Sequence, residues 1–218
     1  SFPDNYLPWS MGLSERMISM NDKFNGLKTK DVIGHNFRVN HNLRKLFVDQ
    51  ISQNGCVYNV EQMLSSSISE NSLESYYYKS TTRRHSLSFY ESINSSLMFL
   101  GFGGYIESLP NLYQPYSLFD KIRRKPFHLL SNYNKQKYSY VFQWDSFRMW
   151  ELFNSNTCPI FLNFKKFNFI LPELPNDSEH YLGLDSFSWS EFNSKLKKYP
   201  RIDVSDIGLN GKDRVLRN

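Results

Sequence analysis

The chain has 218 residues, is 40% hydrophobic and 17% aromatic, and carries a formal charge of +5 with a pI near 9.1. That aromatic content excludes a disordered chain, the 2 cysteines (Cys56 and Cys158) exclude a disulfide framework or a cysteine-built metal site, and no apolar run reaches membrane-spanning length. The positive balance points to an anionic partner, most simply nucleic acid.

The chain contains no alanine. Alanine is common in folded domains and is the best helix former, so protein physics does not exclude it. The bias belongs to the gene. Alanine codons begin with G-C, and a gene poor in those bases loses alanine while gaining Phe, Tyr, Asn and Ser. Eighteen Phe and 14 Tyr fit that vocabulary, which is that of an A/T-rich organelle genome or an A/U-rich virus. The opening Ser1-Phe2-Pro3-Asp4 has no basic n-region or signal-like core, and without a Met it is expected to be processed from a longer reading frame. The few cysteines suit a reducing compartment.

Residues 1–36 read as irregular, punctuated by Pro3, Pro8, Gly12, Gly26 and Gly34, with a short helix over Ser14–Met20. Asn40 or Asn42 could cap a helix running to Ser52, and Val57–Leu64 and Leu73–Tyr78 read as further helices. Ser86–Leu100 reads as a helix ending in the apolar run Leu97-Met98-Phe99-Leu100, stopped by Gly101-Phe102-Gly103-Gly104. Tyr105–Ser108 reads as a strand and Leu112–Arg124 as a helix ended before Pro126. A hairpin then joins Phe127–Ser131 to Tyr138–Trp144, where Tyr138, Tyr140 and Phe142 alternate onto one face. A helix through Phe153 follows, capped by Asp145 or Ser146, then an aromatic extended segment over Ile160–Leu171. A strand at His180–Leu184 leads to a helix at Trp189–Lys198, stopped by Pro200. Residues 203–218 read as a charged tail.

The order from Ser86 onward carries a family likeness. Leu97-Met98-Phe99-Leu100-Gly101-Phe102-Gly103-Gly104-Tyr105-Ile106-Glu107, Tyr138-Ser139-Tyr140-Val141-Phe142, Ser146-Phe147, Lys166–Pro172 and Ser186-Phe187-Ser188-Trp189-Ser190-Glu191 resemble the LAGLIDADG homing endonucleases and intron maturases over residues 86–202. The resemblance implies an α+β fold, a LAGLIDADG-like mixed α/β saddle, preceded by an irregular, partly helical N-terminal extension (1–85) and followed by the tail (203–218). It implies that Gly101, Gly103 and Gly104 allow close helix packing. It also implies an acid at the end of the signature helix to hold a divalent metal at the scissile phosphate. Gly103 stands there instead, with Glu107 and Asp185 as poor substitutes. No catalytic residue, metal ligand or cofactor is therefore expected.

What remains is nucleic-acid affinity. Lys121, Arg123, Arg124 and Lys125 form the densest basic cluster, followed by Lys135, Lys137 and Tyr138 on the hairpin and by Lys165 and Lys166. Basic side chains track phosphates, and aromatics stack on unpaired bases. The expectation is an RNA-binding structural protein of the mitochondrial matrix, most simply a ribosome component without nuclease activity. It would contact ribosomal or intron RNA and neighbouring proteins of a ribonucleoprotein, and no membrane or small-molecule substrate. The alternatives are an intron maturase or active homing endonuclease, and a viral RNA-binding structural or accessory protein.

Overall fold

A computed structural model describes residues 12–27, 29–37, 58–62, 87–102, 105–108, 139–142, 147–186 and 189–217. Ser14 caps the first helix, α1 (Glu15–Asp22): its carbonyl accepts from the Met17 N–H at 2.9 Å and its hydroxyl accepts from the same amide at 3.4 Å. Two strands then stand where none was expected. β1 (Lys30–His35) lies in the stretch read as irregular, and β2 (Asn59–Gln62) lies inside the expected helix Val57–Leu64.

The largest correction concerns Ser86–Leu100. Helix α2 (Leu87–Ser95) ends early, and strand β3 (Ser96–Leu100) follows with no intervening loop. Side chains end the helix: the Ser95 and Ser96 hydroxyls both donate to the Ser92 carbonyl, and the Asn94 amide donates to that of Tyr90. These bonds offer the last turn an alternative to helical pairing. All five residues of β3 are buried. A strand covered on both faces in a parallel sheet needs such a continuous apolar run, and periodicity alone cannot tell that run from the end of a buried helix.

β4 (Tyr105–Ser108) is as expected, and it pairs antiparallel with β5 (Ser139–Phe142), Tyr105 opposite Phe142. The expected first hairpin arm, Phe127–Ser131, lies outside the described residues, as do the helices expected over 40–52, 73–78 and 112–124. Helix α3 (Phe147–Phe153) matches the sequence reading closely. Strand β6 (Cys158–Leu162) takes only the start of the extended segment expected over Ile160–Leu171, which turns from Phe164 onward. Strand β7 (Leu182–Leu184) and helix α4 (Trp189–Lys198) again match closely. The expected charged tail is instead the packed helix α5 (Arg201–Arg217).

The architecture is mixed α/β, built on a parallel five-stranded sheet of order β2-β1-β3-β6-β7. The sheet draws strands from both sides of the boundary expected at 85/86. Strand faces alternate with period two. Met98, Leu100, Ile160, Leu162, Leu182 and Leu184 pack with Phe192 and Leu196 of α4 and Val204 and Ile207 of α5. Phe99 and Phe161 point the other way, onto Phe89, Tyr90 and Ile93 of α2 and Leu152 and Phe153 of α3. Helices therefore cover both faces.

Asparagine replaces apolar packing where α1, α2 and α3 meet. Buried Asn94 donates to Asn21 Oδ1 (2.6 Å) and accepts from the Asn156 N–H. Asn21 donates to the Glu151 carbonyl, and the Tyr90 hydroxyl donates to the Glu151 carboxylate at 2.6 Å. Buried polar groups persist only when bonded in this way. Across the amino ends of the strands runs α5: Gly208 lies against the Thr157 carbonyl and Gly211 against that of His180.

Candidate nucleic-acid interface at the carboxyl edge of the sheet

Lys165 and Lys166 leave the carboxyl end of β6 on a self-bonded turn. Asn163 caps its start: Oδ1 accepts the Lys166 N–H at 3.1 Å, and its carbonyl accepts that of Phe167. At its end Asn168 adopts φ 51°, the Asn168 N–H bonds the Lys165 carbonyl, and the Phe169 N–H bonds that of Phe164. That is a Schellman closure, with the apolar contact that accompanies it: the Phe164 and Phe169 rings stack with centroids 4.8 Å apart. Phe164 stacks in turn on Tyr181 at 4.7 Å, and the Tyr181 hydroxyl donates nowhere into the turn but accepts the Phe164 N–H at 3.0 Å. Burial above all, with the nearby Asp177 and Asp185 carboxylates, pushes the Tyr181 phenol well above its ordinary range against the opposing pull of the Phe164 N–H, so it stays protonated. The aromatic side of the turn is thus fixed in the core, while both lysines are exposed and have no ion pair among the described residues.

A second set of polar contacts steadies the same edge. Asn163 Nδ2 donates to Asp185 Oδ1 at 2.8 Å, and Glu191 accepts from the Asp185 N–H and the Ser186 hydroxyl. Asp177 accepts the Gly183 N–H and pairs with Lys195, whose ammonium also bonds the Gly183 carbonyl. An ion pair thereby occupies the outer edge of β7, which would otherwise present free ladder groups.

Strand order reverses between β1 and β3, where open parallel sheets keep their ligand crevice at the carboxyl ends. There His35 is 4% exposed and its Nδ1 accepts from the Phe37 N–H, which leaves the ring proton on Nε2. Burial lowers its pKa to about 4, so the ring is neutral at physiological pH. Asn36 Oδ1 beside it is buried with no partner among the described residues. Phe37 and Phe102 stack at 5.6 Å across the two loops. The sequence reading missed His35 because a single histidine in a stretch rich in Pro and Gly carries no periodic signal.

Gly101 does not pack helix against helix. Its N–H continues the ladder to Ile160, and a Cβ there would fall on the Phe161 ring and within 2.6 Å of a Leu152 methyl. Gly103, Gly104, Lys121, Arg123, Arg124, Lys125, Lys135, Lys137 and Tyr138 lie outside the described residues. A polar cleft of about 400 Å³ opens at the other end of the molecule beside α5, but its arginines already face acids: Arg214 pairs with Glu173 at 3.0 Å and Arg217 with Asp213 at 3.6 Å. Among the described residues no group of three His, Cys, Asp or Glu could hold a metal, and no helix is long and apolar enough to cross a membrane. No known protein family, curated protein or solved structure matches the chain.

Proposed function

We propose that the chain is an RNA-binding structural protein of a mitochondrial ribonucleoprotein, most simply its ribosome, without nuclease activity. The observation that carries the reading is the exposed Lys165–Lys166 pair on a turn capped at both ends and anchored by stacked aromatics. A lysine pair held on a rigid mount meets phosphates with little further loss of side-chain freedom, and each phosphate contact releases counterions. Net charge and the G/C-poor codon usage implied by the missing alanine favour the same partner and compartment. The scaffold proposed for this role is the parallel sheet itself in place of a LAGLIDADG-like saddle, since Leu97–Leu100, the end of the expected signature helix, is its central strand.

The test is binding of the full chain to small-subunit ribosomal RNA across a salt series, with sedimentation of the native chain in organelle extracts. Lys165→Ser with Lys166→Ser should weaken binding about five- to tenfold and flatten the log–log salt slope by about one per lysine. An unchanged slope would move the RNA face elsewhere. Sedimentation apart from ribosomal particles, with no RNA affinity, would reject the function.

A further inference from the structure

We infer that Asn25 is a site of spontaneous modification, deamidated to aspartate and isoaspartate through attack by the Gly26 backbone nitrogen. The dipeptide Asn-Gly occurs at Asn25, Asn54 and Asn210. Asn54 lies outside the described residues, and the other two stand in opposite settings. Asn25 and Gly26 are exposed in the turn after α1, closed by the Leu27 N–H on the Phe24 carbonyl at 3.2 Å. Gly26 has φ 87°, a conformation that side chains resist, and a Cβ there would meet nothing within 4 Å. Its N–H has no acceptor among the described residues. The peptide between the two residues can therefore rotate toward the Asn25 side chain for the loss of one exposed hydrogen bond. Gly211 is buried inside α5, with its N–H in the helical ladder and the His180 carbonyl oxygen pressed on it, so the same rotation at Asn210 would unwind a packed helix.

The surroundings of the Asn25 amide favour the reaction. The half-buried Lys212 ammonium donates to Asn25 Oδ1 at 2.9 Å and to Asn156 Oδ1 at 3.0 Å, and it has no carboxylate partner among the described residues. It draws electrons from the side-chain carbonyl and stabilises the charge that develops on Oδ1. Solvent hydroxide takes the Gly26 amide proton, the nitrogen bonds to Asn25 Cγ, and the carbonyl electron pair moves onto Oδ1. Its return breaks the Cγ–Nδ2 bond, and Nδ2 leaves as ammonia with a proton from water. Water then adds to the cyclic imide. Opening at Cγ gives aspartate, and opening at the backbone carbonyl gives isoaspartate. Either acid ionises and takes one unit from the net charge of +5. In the aspartate product an oxygen replaces Nδ2, which donates to Asp22 Oδ1 at 3.0 Å. Like charge turns the new carboxylate from Asp22, and Lys212 gains an ion pair. The inference does not rest on RNA binding.

The experiment ages the full chain at neutral and at mildly alkaline pH and follows it by cation exchange and by peptide mapping with mass spectrometry, which separates the aspartate and isoaspartate products. In the folded chain Asn25 should convert at least tenfold faster than Asn210, and faster at the higher pH. In urea the two rates should converge. Gly26→Ala, whose methyl crowds the attacking nitrogen, should slow conversion at least tenfold in the folded and the unfolded chain alike, so a strained turn does not obscure the result. Lys212→Met leaves the Asn-Gly pair intact and should slow conversion about threefold in the folded chain only. Equal rates at Asn25 and Asn210 in the folded chain, or an intact Asn25 under conditions that convert it in urea, overturns the inference. An unchanged rate in Lys212→Met overturns the part assigned to the ammonium.

Discussion

His35 sits at the carboxyl end of the inner strand β1, and its burial has a cost that depends on pH. Its folded pKa of about 4 lies below the value near 6.5 expected in the unfolded chain. Between those values the unfolded chain binds a proton that the folded chain refuses. Stability is therefore unaffected above about pH 6.5 and falls as pH drops toward 4, by up to about 3 kcal/mol. Burial shifts His180 the same way, adding to the trend. Urea unfolding at neutral and at mildly acid pH should show this loss, and His35→Gln should remove most of it, while an undiminished loss in the variant would assign the trend to other groups. Among single residues, Lys165 and Lys166 were legible as a basic pair in the sequence. The fixing of that pair by Asn163, Asn168 and Phe169 was not, because cap geometry depends on backbone angles and a distant partner, Tyr181.

Elements whose polar and apolar residues alternate with a clear period were legible, and elements buried on every side were not. α4 has Phe192 and Leu196 inward, lysines in its last turn and a proline after it, and its bounds follow from the sequence alone. β3 shows no alternation because neighbours and helices cover both its faces. α5 went unread for the opposite reason: its buried side includes Gly208 and Gly211, which carry no hydrophobic signal. Their value is close approach. A Cβ on Gly208 would stand 2.9 Å from the Thr157 carbonyl carbon and oxygen, and one on Gly211 2.5 Å from the His180 carbonyl oxygen. Alanine would gain about 1 kcal/mol of helix propensity at either site. The clash is with backbone, which cannot swing aside, and overpacking of this kind costs about 1–3 kcal/mol. Gly208→Ala and Gly211→Ala should thus each destabilise the protein on balance in chemical denaturation, whereas Asn210→Ala on the exposed side should be neutral or slightly stabilising. A stabilised Gly208→Ala would show that α5 does not press on the sheet edge.

For the molecule as a whole, α5 closes the core that β6 begins. Cys158, at the start of β6, is fully buried, and burial pushes its thiol far above the ordinary range. Val204 and Ile207 belong to the same apolar cluster. In a Cys56→Ser background, Cys158 should react with a thiol reagent only as fast as the whole chain unfolds. Removing residues 201–218 should speed that reaction at least tenfold and lower the melting temperature. Equal protection in the shortened chain would make α5 an appendage. The exposed lysine turn at the carboxyl edge of the sheet and an apolar stripe of α5 (Ile202, Leu209 and Leu216) at its amino edge also separate at this scale.

By itself the sequence determined an aromatic-rich, basic, alanine-free chain, and the amphipathic helices and turns whose residue types answer to local rules. Tertiary structure decided which apolar runs are strands, that the strands of the five-stranded sheet pair in parallel with a reversal between β1 and β3, and that the charged C-terminal stretch is a packed helix. Those outcomes rest on contacts between residues far apart in the chain: Asn21 with Asn94, Gly208 with Thr157, Asn163 with Asp185. A local pattern sets how a segment can bury its apolar side. Only the assembled sheet sets what it is buried against, and thereby which lysines and leucines are left facing outward.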